Sequence, residues 1–425
     1  MISASLFSIF LLILTLFLLV KSRAQLEIKT SWLIGGLGVK LLAAAFLWWL
    51  YTDYYSDRSS ADIYKYFDDA VAIESACKKL EVDQLDFFNP WLKPNAAHLE
   101  ALSQTQHWDL KKVYFINDNR SIIRIHLLLL PLSQGQFWVH QLFFTLLGFW
   151  GTILLFYFLK THFGEKKNWL YILMLLFPSL LLWTSGALKE SYLFFAMGGF
   201  LTSAQGSFVR PNFKHIGSLL FFTLLLLTIK VYVAIVLIPL TFSTLTLNKV
   251  RYKDFGFNSF LEVISVGLIS TLISGQYIID ILQDKLKNFT DLAMDHNASS
   301  YFNIPIYESL IDFILYTPFA LYNVFLRPVF PSTLNVLTLL SVAENLVLLL
   351  LLVLAVLNKK AVNRNQKQWA WYYAALIFPV ALLIGSTVPI LGALVRYKVV
   401  ILPFYLALLL TFVDLGKLPT FKKLK

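Results

Sequence analysis

Cysteine is almost absent from the 425 residues: Cys77 stands alone, so no disulfide can form within the chain. No CxxC pair or histidine cluster suggests a structural metal, and His98, His107, His126 and His140 show no ligand spacing. Charge is scarce as well. Only 14% of residues are charged, against 58% hydrophobic and 16% aromatic, and mean hydropathy is +0.66. A soluble core of this length needs far less apolar surface, so an integral membrane protein is expected. The short alternating segments of an outer-membrane barrel are lacking. Apolar runs near the roughly 20 residues that cross a bilayer recur instead, which predicts an all-α polytopic helical bundle.

The first apolar run, residues 2 to 20, has no basic segment before it and no small-x-small cleavage pattern in the KSRAQ that follows. It reads as a retained first helix rather than a signal peptide. The net charge of +11 sits in short clusters between apolar runs: KSR at 21 to 23, EKK at 165 to 167, KVRYK at 249 to 253, NKK at 358 to 360 and FKKLK at the end. That is the positive-inside pattern, which sets topology and implies membrane lipids rather than nucleic acid as the partner.

With those clusters in the cytoplasm, spans are predicted over about 2 to 21, 32 to 52, 136 to 159, 169 to 184, 188 to 205, 258 to 281, 336 to 358, 369 to 387 and 397 to 415. The apolar run 216 to 248, basic at both ends, predicts a hairpin of two short helices turning at Lys230. Residues 307 to 332 contain Arg327 and the two prolines of LRPVFP and are expected to dip into, or lie along, the outer face. The sum is about 11 spans, N-terminus outside and C-terminus inside. The whole chain, 1 to 425, then forms one membrane domain with a large outer loop region at 53 to 135 and a second outer loop at 284 to 332. Within the first, FFNPWLKP and IIRIHLLLLPL read as amphipathic pieces on the membrane surface. NFT at 288 and NAS at 297 match the glycan acceptor pattern.

The charges near the outer ends of spans need an explanation, because a charge at membrane depth costs several kcal/mol unless paired or hydrated. Lys189, Glu190, Lys230, Arg327, Glu344, Arg396 and Lys398 all map to that side, which suggests a polar cavity opening outward. The segment 169 to 184 would give about 24 Å of helix against a core of about 30 Å, so TSGA at 184 to 187 should lie below the surface. Ser185 and Gly186 are expected N-cap residues for the next helix. Glu190 in its first turn suits the helix dipole, and Lys189 beside exposed amides suits an anion. The plainer readings are snorkelling for Lys230 and Lys398, an anchoring role for Arg327, and a pairing of Glu344 with a neighbouring cation.

The segments ADIYKYFDDA, FPSLLLWTSGALKE and LGALVRYK, with an acidic outer loop after an early span, resemble those of GT-C glycosyltransferases of bacterial membranes and related polysaccharide polymerases. The resemblance implies transfer of a sugar from a polyprenyl-phosphate-linked donor to an acceptor on the outer face, with the active site facing the periplasm from a bacterial inner membrane. No cofactor is expected, the scattered histidines offer no metal site, and the acceptor is left unspecified. A loop carboxylate would take the acceptor's proton, and cations would hold the departing phosphate. Here the loop follows the second span rather than the first and lacks a paired Asp-Glu, so the base stays open among Asp53, Asp57, Asp62, Asp68 and Asp69. Asp62 in SADIYKYF is the preferred base and Asp53 the second. Tyr64 and Tyr66 would stack on sugar rings, Lys189, Lys230, Arg327 and Arg396 would bind the donor phosphate, and Glu190 and Glu344 would be orienting groups, Glu190 for a cation or a sugar hydroxyl. The alternatives are a polymerase or ligase acting on lipid-linked oligosaccharide, a lipid or anion transporter, and a non-catalytic assembly subunit. The inverted repeats and mid-span polar residues expected of a transporter are not evident.

Overall fold

The computed structural model describes residues 2–55, 58, 61–89, 91, 93–108, 110, 117–251, 254–295, 300–330, 336–357 and 361–414. Among them every regular element is a helix, and extended pairing is confined to one bridge between Tyr301 and Ile390. Six helices among the described residues are long and apolar enough to cross a membrane: Ile2–Leu26, Thr30–Tyr54, Phe137–Lys160, Val231–Lys249, Val336–Leu357 and Arg364–Thr387. A seventh follows if Leu391–Val400 and Leu402–Phe412, bent by 66°, count as one span. The protein is a helical, membrane-embedded one. Four shorter apolar helices, Lys167–Leu176, Phe213–Ile229, Phe255–Gly267 and Leu310–Leu326, make up the remaining apolar segments of this kind. The candidate base Asp57, the glycan motif at 297 and the basic clusters at 358 to 360 and 421 to 425 lie outside the described residues.

In chain order the helices are α1 (Ile2–Leu26), α2 (Thr30–Trp49), α3 (Lys65–Leu80), α4 (Ala96–Ser103), α5 (Asp118–Ser133), α6 (Phe137–Lys160), α7 (Lys167–Leu176), α8 (Pro178–Trp183), α9 (Lys189–Val209), α10 (Phe213–Ile229), α11 (Val231–Lys249), α12 (Phe255–Asp295), α13 (Leu310–Leu326), α14 (Val336–Leu357), α15 (Arg364–Thr387), α16 (Leu391–Tyr397) and α17 (Leu402–Phe412). The chain divides into two compact units. One comprises residues 1–155, 181–200 and 217–231, the other 156–180, 201–216 and 232–425.

In the first unit, α6 and α9 approach closely through small residues. A Cβ on Gly148 would overlap the Thr184 carbonyl, and one on Gly151 would overlap the backbone of Phe194 and Phe195. Glycine permits this backbone contact, the usual device of membrane helix pairs. The region between α2 and α6 holds the helices α3, α4 and α5. There α5 packs against α3 and α1. In IIRIHLLLLPL the polar residues are satisfied inside the unit, whereas Leu128 and Leu132 are exposed: Arg124 Nε donates to the Phe87 carbonyl at 2.8 Å and lies over Trp108, while His126 and His140 meet through their Nδ1 atoms at 2.9 Å. FFNPWLKP begins in the last turn of a 3₁₀ helix, Gln84–Phe88, and its residues 90 and 92 lie outside the described residues.

The predicted span 169 to 184 is broken. Pro178 has no N–H to continue α7, and Phe177 before it is extended (φ −65°, ψ 124°), as a residue preceding proline prefers. The run 216 to 248 divides at Lys230, between α10 and α11. In the second unit the predicted span 258 to 281 belongs to one 41-residue helix, so residues 284–295, read as the start of a loop, continue α12. Residues 310–326 likewise form α13, begun by a Ser309–Asp312 capping box and packed on α15, where Asn323 Nδ2 donates to the Gly385 carbonyl at 3.0 Å. Lys166 closes the end of α17 by donating to the carbonyls of Leu410 (2.7 Å) and Val413 (2.6 Å), which have no partner within the helix.

Candidate functional site

Three helix ends of the first unit meet at one point. The first belongs to α5, where Asn117 is extended (φ −150°, ψ 143°) and its side chain accepts from the backbone N–H of Asn119 (2.9 Å) and Arg120 (3.4 Å). Such a cap fixes the first turn and the direction in which Asp118 leaves it. The second is the start of α9 at Lys189. The third is the end of α10, tied to α5 by Ser121 Oγ donating to the Thr228 carbonyl (2.9 Å), and to α9 by the 3.1 Å contact of Tyr192 Oη with Thr228 Oγ1.

At this junction Lys189 Nζ lies 2.7 Å from Asp118 Oδ2, and Lys230 Nζ lies 3.6 Å from the same oxygen. The first contact is a charge-assisted hydrogen bond. The second is too long for one and acts by charge alone. Lys189 Nζ also donates to Asn119 Oδ1 and sits 5.0 Å over the Tyr66 ring, whose hydroxyl donates to Asn119 Oδ1 at 3.2 Å. The lysine side chains are 10% and 8% exposed, the aspartate 32%. Burial alone would push the Asp118 carboxyl up, but the two ammonium groups and the hydrogen bonds outweigh it and hold the group below the usual aspartate range. Two buried cations converging on one carboxylate oxygen form a receptor for an oxyanion, already filled by an internal one.

Of the residues singled out in the sequence, the structure brings together Lys189, Lys230 and Tyr66. Glu190 follows Lys189 in the first turn of α9 and is buried. The expected caps do not form: Ser185 Oγ donates back to the Leu181 carbonyl, and α9 starts only at Lys189. Asp62 pairs with Lys65 at 2.8 Å, and Asp53 is exposed in the π turn that ends the second span. Asp68 is bound by Arg58, whereas Asp69 is 4% exposed and accepts the backbone N–H of Gln106 and His107 at 3.0 and 2.8 Å.

The stacking role given to Tyr64 and Tyr66 is corrected by burial. Tyr64 is 3% exposed between Arg58, 3.9 Å from its ring centre, and Phe137, while Tyr66 is 8% exposed and faces Lys189. Neither presents an open ring to a sugar. Asp118 and Asn119 escaped notice in the sequence, although NDN before an apolar run is the pattern of a capped helix start.

Arg327, Glu344 and Arg396 belong to the second unit. The Arg327 guanidinium lies 4.3 Å over the Phe302 ring, and Arg396 is half-buried in the last turn of α16. Glu344, placed as an orienting group, is buried in an ion pair with Lys398 at 3.0 Å and accepts the Ser179 N–H at 2.7 Å, which is a structural use of the carboxylate. Among the described residues no group of three or more His, Cys, Asp or Glu side chains could hold a metal. No protein-family model matches the chain, and no curated protein or solved structure matches it.

Proposed function

We propose that the protein is a membrane glycosyltransferase of GT-C type, which moves a sugar from a polyprenyl-phosphate-linked donor to a hydroxyl acceptor. The observation that carries the reading is the convergence of Lys189 and Lys230 on Asp118 Oδ2. The leaving group of such a transfer is a lipid phosphate, and ammonium groups held in a poorly solvated site stabilise its charge. As the acceptor oxygen bonds to the anomeric carbon, the bond from that carbon to the phosphate oxygen breaks and its electron pair stays on the phosphate. The acceptor's proton passes to a carboxylate. Asp118 takes that role in preference to Asp62, because it touches both lysines.

In this reading α7 with α8, α9, α10, α12 and α16 with α17 cross the membrane together with α1, α2, α6, α11, α14 and α15, while α13 does not, to make about 11 crossings in the orientation set by the basic clusters. The site then faces the periplasm of a bacterial inner membrane. The test is purified protein in lipid vesicles with a polyprenyl-phosphate donor carrying a labelled sugar and a cell-envelope extract supplying acceptors. Transfer is expected from the wild type, and Asp118→Asn should lower it by about 10²- to 10⁴-fold while Asp62→Asn and Asp53→Asn keep most of it. No transfer by the wild type would refute the assignment, and full activity of Asp118→Asn would remove that residue from the chemistry.

A further inference from the structure

A base held by two ammonium groups is a poor base, and a phosphate site filled by a carboxylate is a poor phosphate site. Both difficulties have one solution. We propose that Asp118 is an exchangeable internal anion: the donor's phosphate displaces it from Lys189 and Lys230, and the displaced carboxylate becomes the base that accepts the acceptor's proton. The inference rests on the reading of the site as one for a phosphate-linked lipid.

Three features of the geometry support exchange. Asp118 is the most exposed of the three charged groups, at 32% against 10% and 8%, so an anion arriving from outside reaches the ammonium groups through the place its carboxylate fills. One oxygen, Oδ2, serves both lysines, so a single phosphate oxygen can replace it. Lys189 does not depend on Asp118 for its position, because Asn119 Oδ1 accepts from its ammonium group and is itself bonded by the Tyr66 hydroxyl. Asn117 holds the backbone of the turn, so the exchange needs only side-chain rotation at Asp118. Glu190 and Arg120, the buried charges that follow Lys189 and Asp118 in their helices, remain in place.

The exchange orders the reaction. Once displaced, Asp118 loses the cations that favour its charged form and gains a neighbouring phosphate, and both changes raise its affinity for a proton. The donor therefore binds first and creates the base for the acceptor. After transfer, the proton passes from Asp118 to water, and the carboxylate competes again for the lysines and helps expel the lipid phosphate.

The experiment measures binding of polyprenyl monophosphate to protein in nanodiscs, for the wild type, Asp118→Asn, Asp118→Glu, Lys189→Gln and the double variant Lys189→Gln with Asp118→Asn, with inorganic phosphate as a parallel ligand. Removing the competing anion should tighten lipid binding about tenfold in Asp118→Asn, the worth of a charge-assisted hydrogen bond at its lower end. Asp118→Glu, which keeps the anion, should bind like the wild type. The gain should vanish when Lys189 is already Gln, whereas a general change in field would persist there. Tighter binding of inorganic phosphate as well would mark the phosphate group alone as the competitor, and tightening with the lipid only would add the tail to it; either agrees with exchange. Binding by the wild type with unchanged or weaker binding in Asp118→Asn would overturn the exchange and leave the phosphate-site reading standing. Binding of neither ligand by any variant would overturn both.

Discussion

Replacing Lys398 with Met would remove one half of the buried ion pair of the second unit and keep most of the side-chain volume. The pair is closed to solvent, with Lys398 and Glu344 side chains 1% and 0% exposed and Nζ 3.0 Å from Oε1. Lys398 Nζ also donates to Asn345 Oδ1 at 2.6 Å, and Glu344 Oε2 accepts from the Ser179 N–H, the first amide after Pro178. At 3.0 Å and an effective dielectric constant near 20, the attraction is roughly 5 kcal/mol, offset by a desolvation cost of several kcal/mol for each ion. The net worth of the intact pair is therefore small, but breaking it leaves Glu344 charged, buried and held by one amide. Lys398→Met is expected to cost about 3–5 kcal/mol. The double variant Lys398→Met with Glu344→Gln keeps the acceptor for Ser179 and carries no charge, so it should recover most of that loss. Thermal unfolding followed by tryptophan fluorescence in nanodiscs, on the wild type, both single variants and the double, reads this directly. A Lys398→Met protein as stable as the wild type, or a double variant showing the full sum of the single losses, would refute the reasoning.

Other outcomes follow from the same contacts. Gly148→Ala and Gly151→Ala should each lower stability by about 1–3 kcal/mol, since the added methyl meets the backbone of Thr184, ahead of α9, in the first case and of Phe194 and Phe195 in α9 in the second, while Gly217→Ala, with nothing within 4 Å, should be neutral in the same unfolding assay. Because the folded Asp118 titrates below its ordinary value of 3.8, its contribution to stability is present above that pH and lost as the pH falls through the folded value. Stability measured against pH should lose part of its acid decline in Asp118→Asn. Cys77 is buried, and burial, with smaller effects of Asp83, Asp86 and Glu74, pushes its thiol up, so a maleimide at neutral pH should label native protein far more slowly than unfolded protein. Single cysteines at Leu85 and Gly164, introduced after replacing Cys77, should be labelled by an impermeant reagent from opposite sides of the membrane, and labelling of both from one side would contradict the orientation.

The sequence made the long apolar helices legible, because α1, α2, α6, α14 and α15 need only an uninterrupted run of the right length. It was less informative where local chemistry interrupts a run. Pro178 breaks the fourth predicted span by a rule readable in the sequence, whereas the 41 residues of α12 outlast their apolar stretch because α15 and α13 pack along them. In α5 the sequence shows Arg120, Arg124 and His126 but not their partners, since Trp108, the Phe87 carbonyl and His140 are brought to them only by the fold. At the site, charge at the ends of apolar runs marked Lys189 and Lys230. Their partner lies 71 residues before Lys189, and no periodicity or local motif relates the two. Tyr64 and Tyr66 were chosen for chemistry their side chains possess, but packing gives their rings to Arg58, Phe137 and Lys189 instead.

The central claim is that Lys189 and Lys230 receive the phosphate of a lipid-linked sugar donor. A structure of the protein in nanodiscs with a polyprenyl-phosphate sugar bound tests it most directly. The account predicts phosphate density in contact with both lysine ammonium groups and the Asp118 carboxylate turned away from them. Density for the phosphate against Arg327 or Arg396 instead, with Asp118 still bound to Lys189, would contradict it.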